Sequence, residues 1–112
     1  MATFLFHGLS GQRYVYSLMP WHDASMLTRE GGTFVFAKGS PEASTPVFVA
    51  AANDIRAAIA KALVPRDTAQ SIHGADLLFI HIEQDPERRH RETMDLVAAY
   101  QPVMNVATAH EE

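Results

Sequence analysis

Apolar and polar positions alternate in short runs through the first half of the chain, and recur at helical spacing in much of the second. The runs TFLFH and RYVYSLMP flank GLSGQ, whose two glycines suit the positive φ angles of a tight connection, so a β-hairpin is predicted over 2–19. The period of two along a strand puts Tyr14 and Tyr16 on one face and Val15 on the other. Two tyrosines on one face suit either a stacking platform for bases or cross-strand packing, and packing is the reading favoured here.

After the hairpin, WHDASMLTREGG is a polar connection in which Asp23 can cap a short helix starting at Ala24. GGTFVFAK and PVFVAAA read as two further strands joined by a loop rich in Gly, Ser and Pro. In NDIRAAIAKALVP, residues Ile55, Ile59 and Leu63 recur at helical spacing behind Asn53 in capping position, and Pro65 ends the helix. ADLLFIHIE is a continuous apolar run of strand length, which predicts a strand in the middle of the sheet, covered on both faces. A second helix is announced by Asp85 as cap and Pro86 at the first helical position; Leu96, Val97 and Tyr100 share its apolar face and Pro102 stops it. The remaining VMNVATAHEE is expected to pack briefly and then fray.

This order of elements predicts an α+β fold: a small mixed or antiparallel sheet flanked by helices, with an extra N-terminal β-hairpin. At 112 residues the chain has room for one core, so one compact domain is expected. Within it, 1–30 form the hairpin extension and connection, 31–105 the main unit and 106–112 a frayed tail. Cysteine is absent, which removes thiol nucleophiles, thiolate metal sites and redox switches, and suits a reducing compartment. The apolar run at the N-terminus is too short for a signal-peptide core, and no window approaches the ~20 apolar residues of a membrane span. A cytoplasmic location is the expectation. Nine Lys and Arg against thirteen Asp and Glu give a net charge of −4, which disfavours a nucleic-acid partner even though PERRHRE is locally basic.

The segments GGTFVFAK, PVFVAAANDIRAAIAKAL, LLFIHIE and RRHRETMDLVAAYQPVMN together resemble the GIY-YIG nuclease family over residues 31–105. In that family a G-x-Y strand and a Y-x-G strand form a hairpin, the next helix carries a catalytic arginine, and a later helix carries a metal-binding glutamate ahead of a P-x-x-N ending. The N-terminal hairpin is similar to an extension found in some small bacterial relatives. Carried over position by position, Gly32 and Phe34 match the first motif, Phe48 and Ala50 the second, Ala58 the arginine and Thr93 the glutamate. Gly32 and Asn105 are kept. Asp54, Ile55, Asp95, Leu96, Tyr100 and Pro102 also resemble the family's scaffold.

The resemblance thus implies a nuclease fold without intact catalytic positions. Threonine supplies no anion for Mg²⁺ or Mn²⁺, and loss of a single transition-state donor typically costs about 10²- to 10³-fold in rate. Of the neighbours, Glu92 and Arg56 are read as turned away from the matched faces and solvated. Lys61, Arg89 and His90 lie within a turn of the vacant positions and are the candidate replacements. His81, Glu83 and His90 are weak candidates for a rebuilt metal site, against the commoner use of such histidines as hydrogen-bonded structural residues. The expectation is a catalytically inactive binding module without a cofactor, with a protein partner or self-association through the hairpin edge. The alternatives are a metal-dependent endonuclease with a rearranged active site, or a non-cleaving nucleic-acid binder.

Overall fold

A computed structural model describes residues 3–19, 27–63, 75–103 and 105. The proposed helix at Ala24, the stop at Pro65 and the tail 106–112 lie outside the described residues.

Five strands form one sheet in the order β1-β2-β5-β3-β4, every neighbouring pair antiparallel. They are β1 (Thr3–His7), β2 (Arg13–Met19), β3 (Gly32–Ser40), β4 (Ala43–Ala52) and β5 (Leu77–Ile82). Two helices complete the fold, α1 (Ile55–Leu63) and α2 (Pro86–Tyr100). No described helix is long and apolar enough to cross a membrane.

The predicted hairpin is present, and β2 joins it to the rest of the sheet by pairing Ser17–Met19 with Ile80–Leu78 of β5. Gly11 takes the positive φ expected of the turn, at 90°, whereas Gly8 has a different role described below. The apolar run of β5 is indeed the central strand, with Leu78, Phe79 and Ile80 all buried.

Alternation along β3 builds two cores. Phe34 and Phe36 point to the α1 side, where they pack with Val47, Ile55, Ile59, Leu78 and Ile80. Val35 and Ala37 point to the α2 side, with Phe6, Tyr16, Val49, Phe79 and Leu96. Tyr16 is fully buried here, edge-to-face with Phe6 at 5.2 Å, so the tyrosine pair packs across strands and offers no open stacking platform.

Helix α1 is capped by Asp54, not by Asn53: the Asp54 carboxylate accepts the Ala57 N–H at 3.0 Å. Both residue types cap well, and the choice is fixed by the preceding loop. The N–H groups of Ile55 and Arg56 reach the carbonyls of Glu30 and Thr28, each at 3.0 Å, and Arg29 pairs with Asp54 at 3.2 Å. Helix α2 starts as predicted, with the Asp85 carboxylate accepting the Glu87 N–H at 3.0 Å and Pro86 following. It ends at Gln101 in the left-handed conformation (φ 46°) ahead of Pro102.

Candidate functional site

Three of the four vacant motif positions meet in one apolar cluster on the α1 side of the sheet. Phe34 is buried, edge-to-face with Phe36 at 5.9 Å and Phe48 at 6.1 Å. Phe48 and Ala58 are partly buried against the same cluster. The fourth position, Thr93, lies on α2, the helix that packs on the opposite face. Its hydroxyl is buried with no hydrogen-bond partner among the described residues.

Gly32 and Asn105, the kept residues, both have structural employment. A side chain at Gly32 would collide with the backbone carbonyl of His81, so the close approach of β3 to β5 requires glycine. Asn105 uses its amide as a strand would. Its Oδ1 accepts the Val49 N–H and its Nδ2 donates to the Val49 carbonyl, both at 2.8 Å, which covers part of the β4 edge.

The candidate replacements disperse. Lys61 and His90 are exposed, while Arg89 is 5 % exposed and its guanidinium donates to the Ala52 carbonyl at the end of β4. Arg89 and His90 therefore do not share a face, although both precede Thr93 by about one turn. Glu83 accepts the Asp85 N–H at 3.1 Å in the turn leading to α2.

These donors do not fit a divalent cation. The Thr93 position offers a neutral hydroxyl, one turn from a buried guanidinium whose Nε has no partner among the described residues. Among the described residues no three His, Cys, Asp or Glu side chains converge as ligands.

A different constellation is assembled under α2. Glu92, read from the sequence as solvated, is 3 % exposed and is the centre of a polar network inside the second core. Its Oε2 accepts from the Tyr16 hydroxyl and from Thr33 Oγ1 at 2.6 Å, and those two hydroxyls are themselves 2.7 Å apart. His81 Nδ1 lies 2.9 Å from Oε1 and 3.0 Å from Oε2. A carboxylate only accepts, so Nδ1 carries a proton in the neutral and the charged ring alike, and Nε2 is left for the groove that His81 lines.

The sequence carries the signal for both Glu92 and Thr33. Glu92 stands one turn before Leu96, as Thr93 does before Val97, so both fall within the broad buried stripe. Thr33 is the variable residue of the G-x-Y match, and its side chain points away from Phe34 by strand alternation.

Burial of the charged forms is compensated by this network and tunes it. The hydrogen bond to Glu92 raises the His81 pKa against the opposing effect of burial. Burial, followed by the Glu92 charge, raises that of Tyr16. Tyr14 is pushed up to about 12 by burial and by its bond to Asp95. Asp95 itself is held below the usual carboxylate range, chiefly by the Ser10 hydroxyl.

Asp95 ties the hairpin turn to α2. It accepts from Ser10 N–H at 2.9 Å, Ser10 Oγ at 2.6 Å and the Tyr14 hydroxyl at 2.8 Å, while its carbonyl accepts from Leu9 N–H at 3.3 Å. A side chain at Gly8 would occupy the space of this carboxylate. Between the turn, the end of β5 and α2 lies a groove of about 1150 Å³, with His81 and Glu92 in its wall.

No protein-family model matches the chain, and no curated protein matches it in sequence. Solved structures do match. Three point mutants of the GIY-YIG N-terminal endonuclease domain of UvrC from Thermotoga maritima, each bound to its catalytic divalent cation, superpose with a TM-score of 0.58. They are 18–19 % identical to this chain, and the match covers 71 % of it and 87–88 % of theirs. The chain therefore has the GIY-YIG nuclease-like α+β fold, with its sheet extended by the N-terminal hairpin.

Proposed function

We propose that this domain uses the GIY-YIG fold to bind a protein partner and does not cleave nucleic acid. The observation that carries this reading is the packing of Phe34, Phe48 and Ala58 into one apolar cluster where the resemblance implies two tyrosines and an arginine. Aromatic edges fill that region, and no acid stands at Thr93 to hold a cation.

A protein partner is favoured over a polyanion by the net charge of −4 and by the hairpin surface. Leu5 and Val15 are cross-strand partners, 51 % and 53 % exposed, beside a sheet edge formed by β1. An edge strand with adjacent apolar side chains suits addition of a partner's strand.

The test is incubation of the purified protein with labelled single- and double-stranded DNA and RNA in Mg²⁺ and in Mn²⁺. No cleavage is expected. Metal-dependent cleavage lost in Glu92→Gln overturns the reading. For the partner, a photo-crosslinker at position 15 is expected to join a specific protein chain, with joining abolished by Leu5→Asp; crosslinks to nucleic acid alone argue against it.

A further inference from the structure

We propose that the groove between the hairpin turn and α2 binds a phosphomonoester, held by the Nε2–H of His81 and the guanidinium groups of Arg13, Arg88 and Arg91. The inference does not depend on the protein-partner reading, because it rests on which hydrogen-bonding groups in the groove are already engaged.

Most of the carboxylate oxygens in the groove already accept hydrogen bonds. Glu92 takes bonds from Tyr16, Thr33 and His81; Asp95 takes three from Ser10 and Tyr14; Glu83 takes one from the Asp85 N–H. The groove's guanidinium donors are less engaged. Arg13 makes no ion pair among the described residues, Arg88 lies 3.7 Å from Asp85, and Arg91 lies 3.9 Å from Glu87, all four partners of these two pairs being exposed. Exposed pairs at such distances hold a guanidinium weakly and leave most of its donors to water.

A groove rich in unengaged donors selects a ligand rich in acceptors. A carboxylate offers two oxygens, whereas a phosphomonoester offers three terminal oxygens and a charge near −2 at pH 7. Three guanidinium forks and an imidazolium match the second better, since Arg pairs with phosphate through two parallel bonds. Size and charge restrict the ligand further. About 1150 Å³ accommodates the phosphate with an organic substituent, and exposed Met94 supplies an apolar contact for it. The carboxylates in the wall and the net charge of −4 oppose the successive phosphates of a nucleic-acid strand.

His81 is preorganised for this role. Its ring is fixed from behind by Glu92, whose bond to Nδ1 favours the imidazolium, and in that form Nε2–H is presented without the entropic cost of ordering a free side chain.

The experiment is titration of the full chain with phenyl phosphate, followed by ¹H–¹⁵N resonances of His81 and of the arginine side chains. Benzoate and a single-stranded oligonucleotide serve as competitors. Saturable shifts at His81 with an affinity in the roughly millimolar range or tighter are expected, and at least about tenfold weakening in Arg13→Ala/Arg91→Ala. Both arginines are exposed, so an unchanged backbone spectrum accompanies that loss. Absence of saturation, equal binding of benzoate, or displacement of phenyl phosphate by a tighter-binding oligonucleotide each overturns the proposal.

Discussion

Thr33 and Glu92, 59 positions apart in sequence, meet at 2.6 Å between β3 and α2. The contact exists because β3 and β5 are neighbours in the sheet and α2 folds back across them, bringing Thr33 and His81 into cross-strand register beneath the helix. Tyr16 enters from β2 on the other side of β5. One carboxylate therefore gathers a strand from each side of the central strand.

Removing that carboxylate alone is expected to cost more than removing the whole network. Glu92→Leu leaves one proton of the Tyr16–Thr33 hydroxyl pair and the His81 Nδ1–H without their acceptor, a loss of about 3–5 kcal/mol. Glu92→Gln keeps the shape but replaces one acceptor oxygen by a donor, for about 1–3 kcal/mol. In Tyr16→Phe/Thr33→Val/Glu92→Leu most of the penalty disappears, because the two buried hydroxyls are no longer there and the remaining His81 N–H, on a side chain 30 % exposed, can turn to water. Urea unfolding of the three variants measures this, and equal destabilisation of the single and triple variants contradicts it.

The same network makes stability depend on pH through His81. Its folded pKa is raised above the unfolded value of about 6.5, so its contribution is complete below that value and is lost as pH rises through the raised folded pKa. Asp95 acts in the opposite sense. Its folded pKa is depressed, so its contribution is present above about pH 4 and is lost as pH falls through the folded value. The stability difference between wild type and His81→Gln is expected to be larger at pH 6 than at pH 9. Parallel curves across that interval rule out the linkage.

Much of the fold follows from patterns visible in the chain. The alternation in TFLFH and RYVYSLM, the continuous apolar run of β5 and the Asp85-Pro86 start signal each report local geometry, and each element forms as read. Glu92 was legible only halfway. Its spacing from Leu96 places it on the buried stripe, but a carboxylate in that stripe reads as solvated until its partners are known, and they arrive from β2, β3 and β5 through topology. Asn105 shows the converse. It reads as a motif remnant, and its amide is employed in closing the edge of β4.

Gly8 and Gly32 are both required by close approach, but against neighbours of different stiffness. At Gly32 the obstacle is the His81 backbone carbonyl, which moves only with the β3–β5 pairing, so Gly32→Ala is expected to cost at least about 2 kcal/mol. At Gly8 the obstacle is the Asp95 side chain, which can rotate away by giving up Ser10 and Tyr14. The Ser10 bonds are exposed and the Tyr14 bond is part-buried, so Gly8→Ala costs about 1 kcal/mol and acts locally. Amide exchange separates the two: faster exchange confined to Ser10 and its neighbours in Gly8→Ala, and across β3 and β5 in Gly32→Ala. The reverse pattern contradicts the assignment.

Restoring the missing side chains is not expected to restore the family's chemistry. In Phe34→Tyr the new hydroxyl enters a cluster whose nearest rings are Phe36 and Phe48, and a hydroxyl buried without a partner costs about 1–3 kcal/mol. Ala58→Arg adds a guanidinium on the α1 side of the sheet. Thr93→Glu adds a carboxylate on α2, one turn from the buried Arg89, whose Nε has no partner among the described residues and can pair with it. That ion pair neutralises the only introduced metal ligand, on the opposite face from the introduced tyrosine and arginine. The triple variant is therefore expected to be less stable than wild type in urea and to leave labelled DNA and RNA uncut in Mg²⁺ and Mn²⁺. Cleavage by that variant shows instead that α2 can bring position 93 to the α1 side, and with it that the separation of the motif positions between two faces is not fixed.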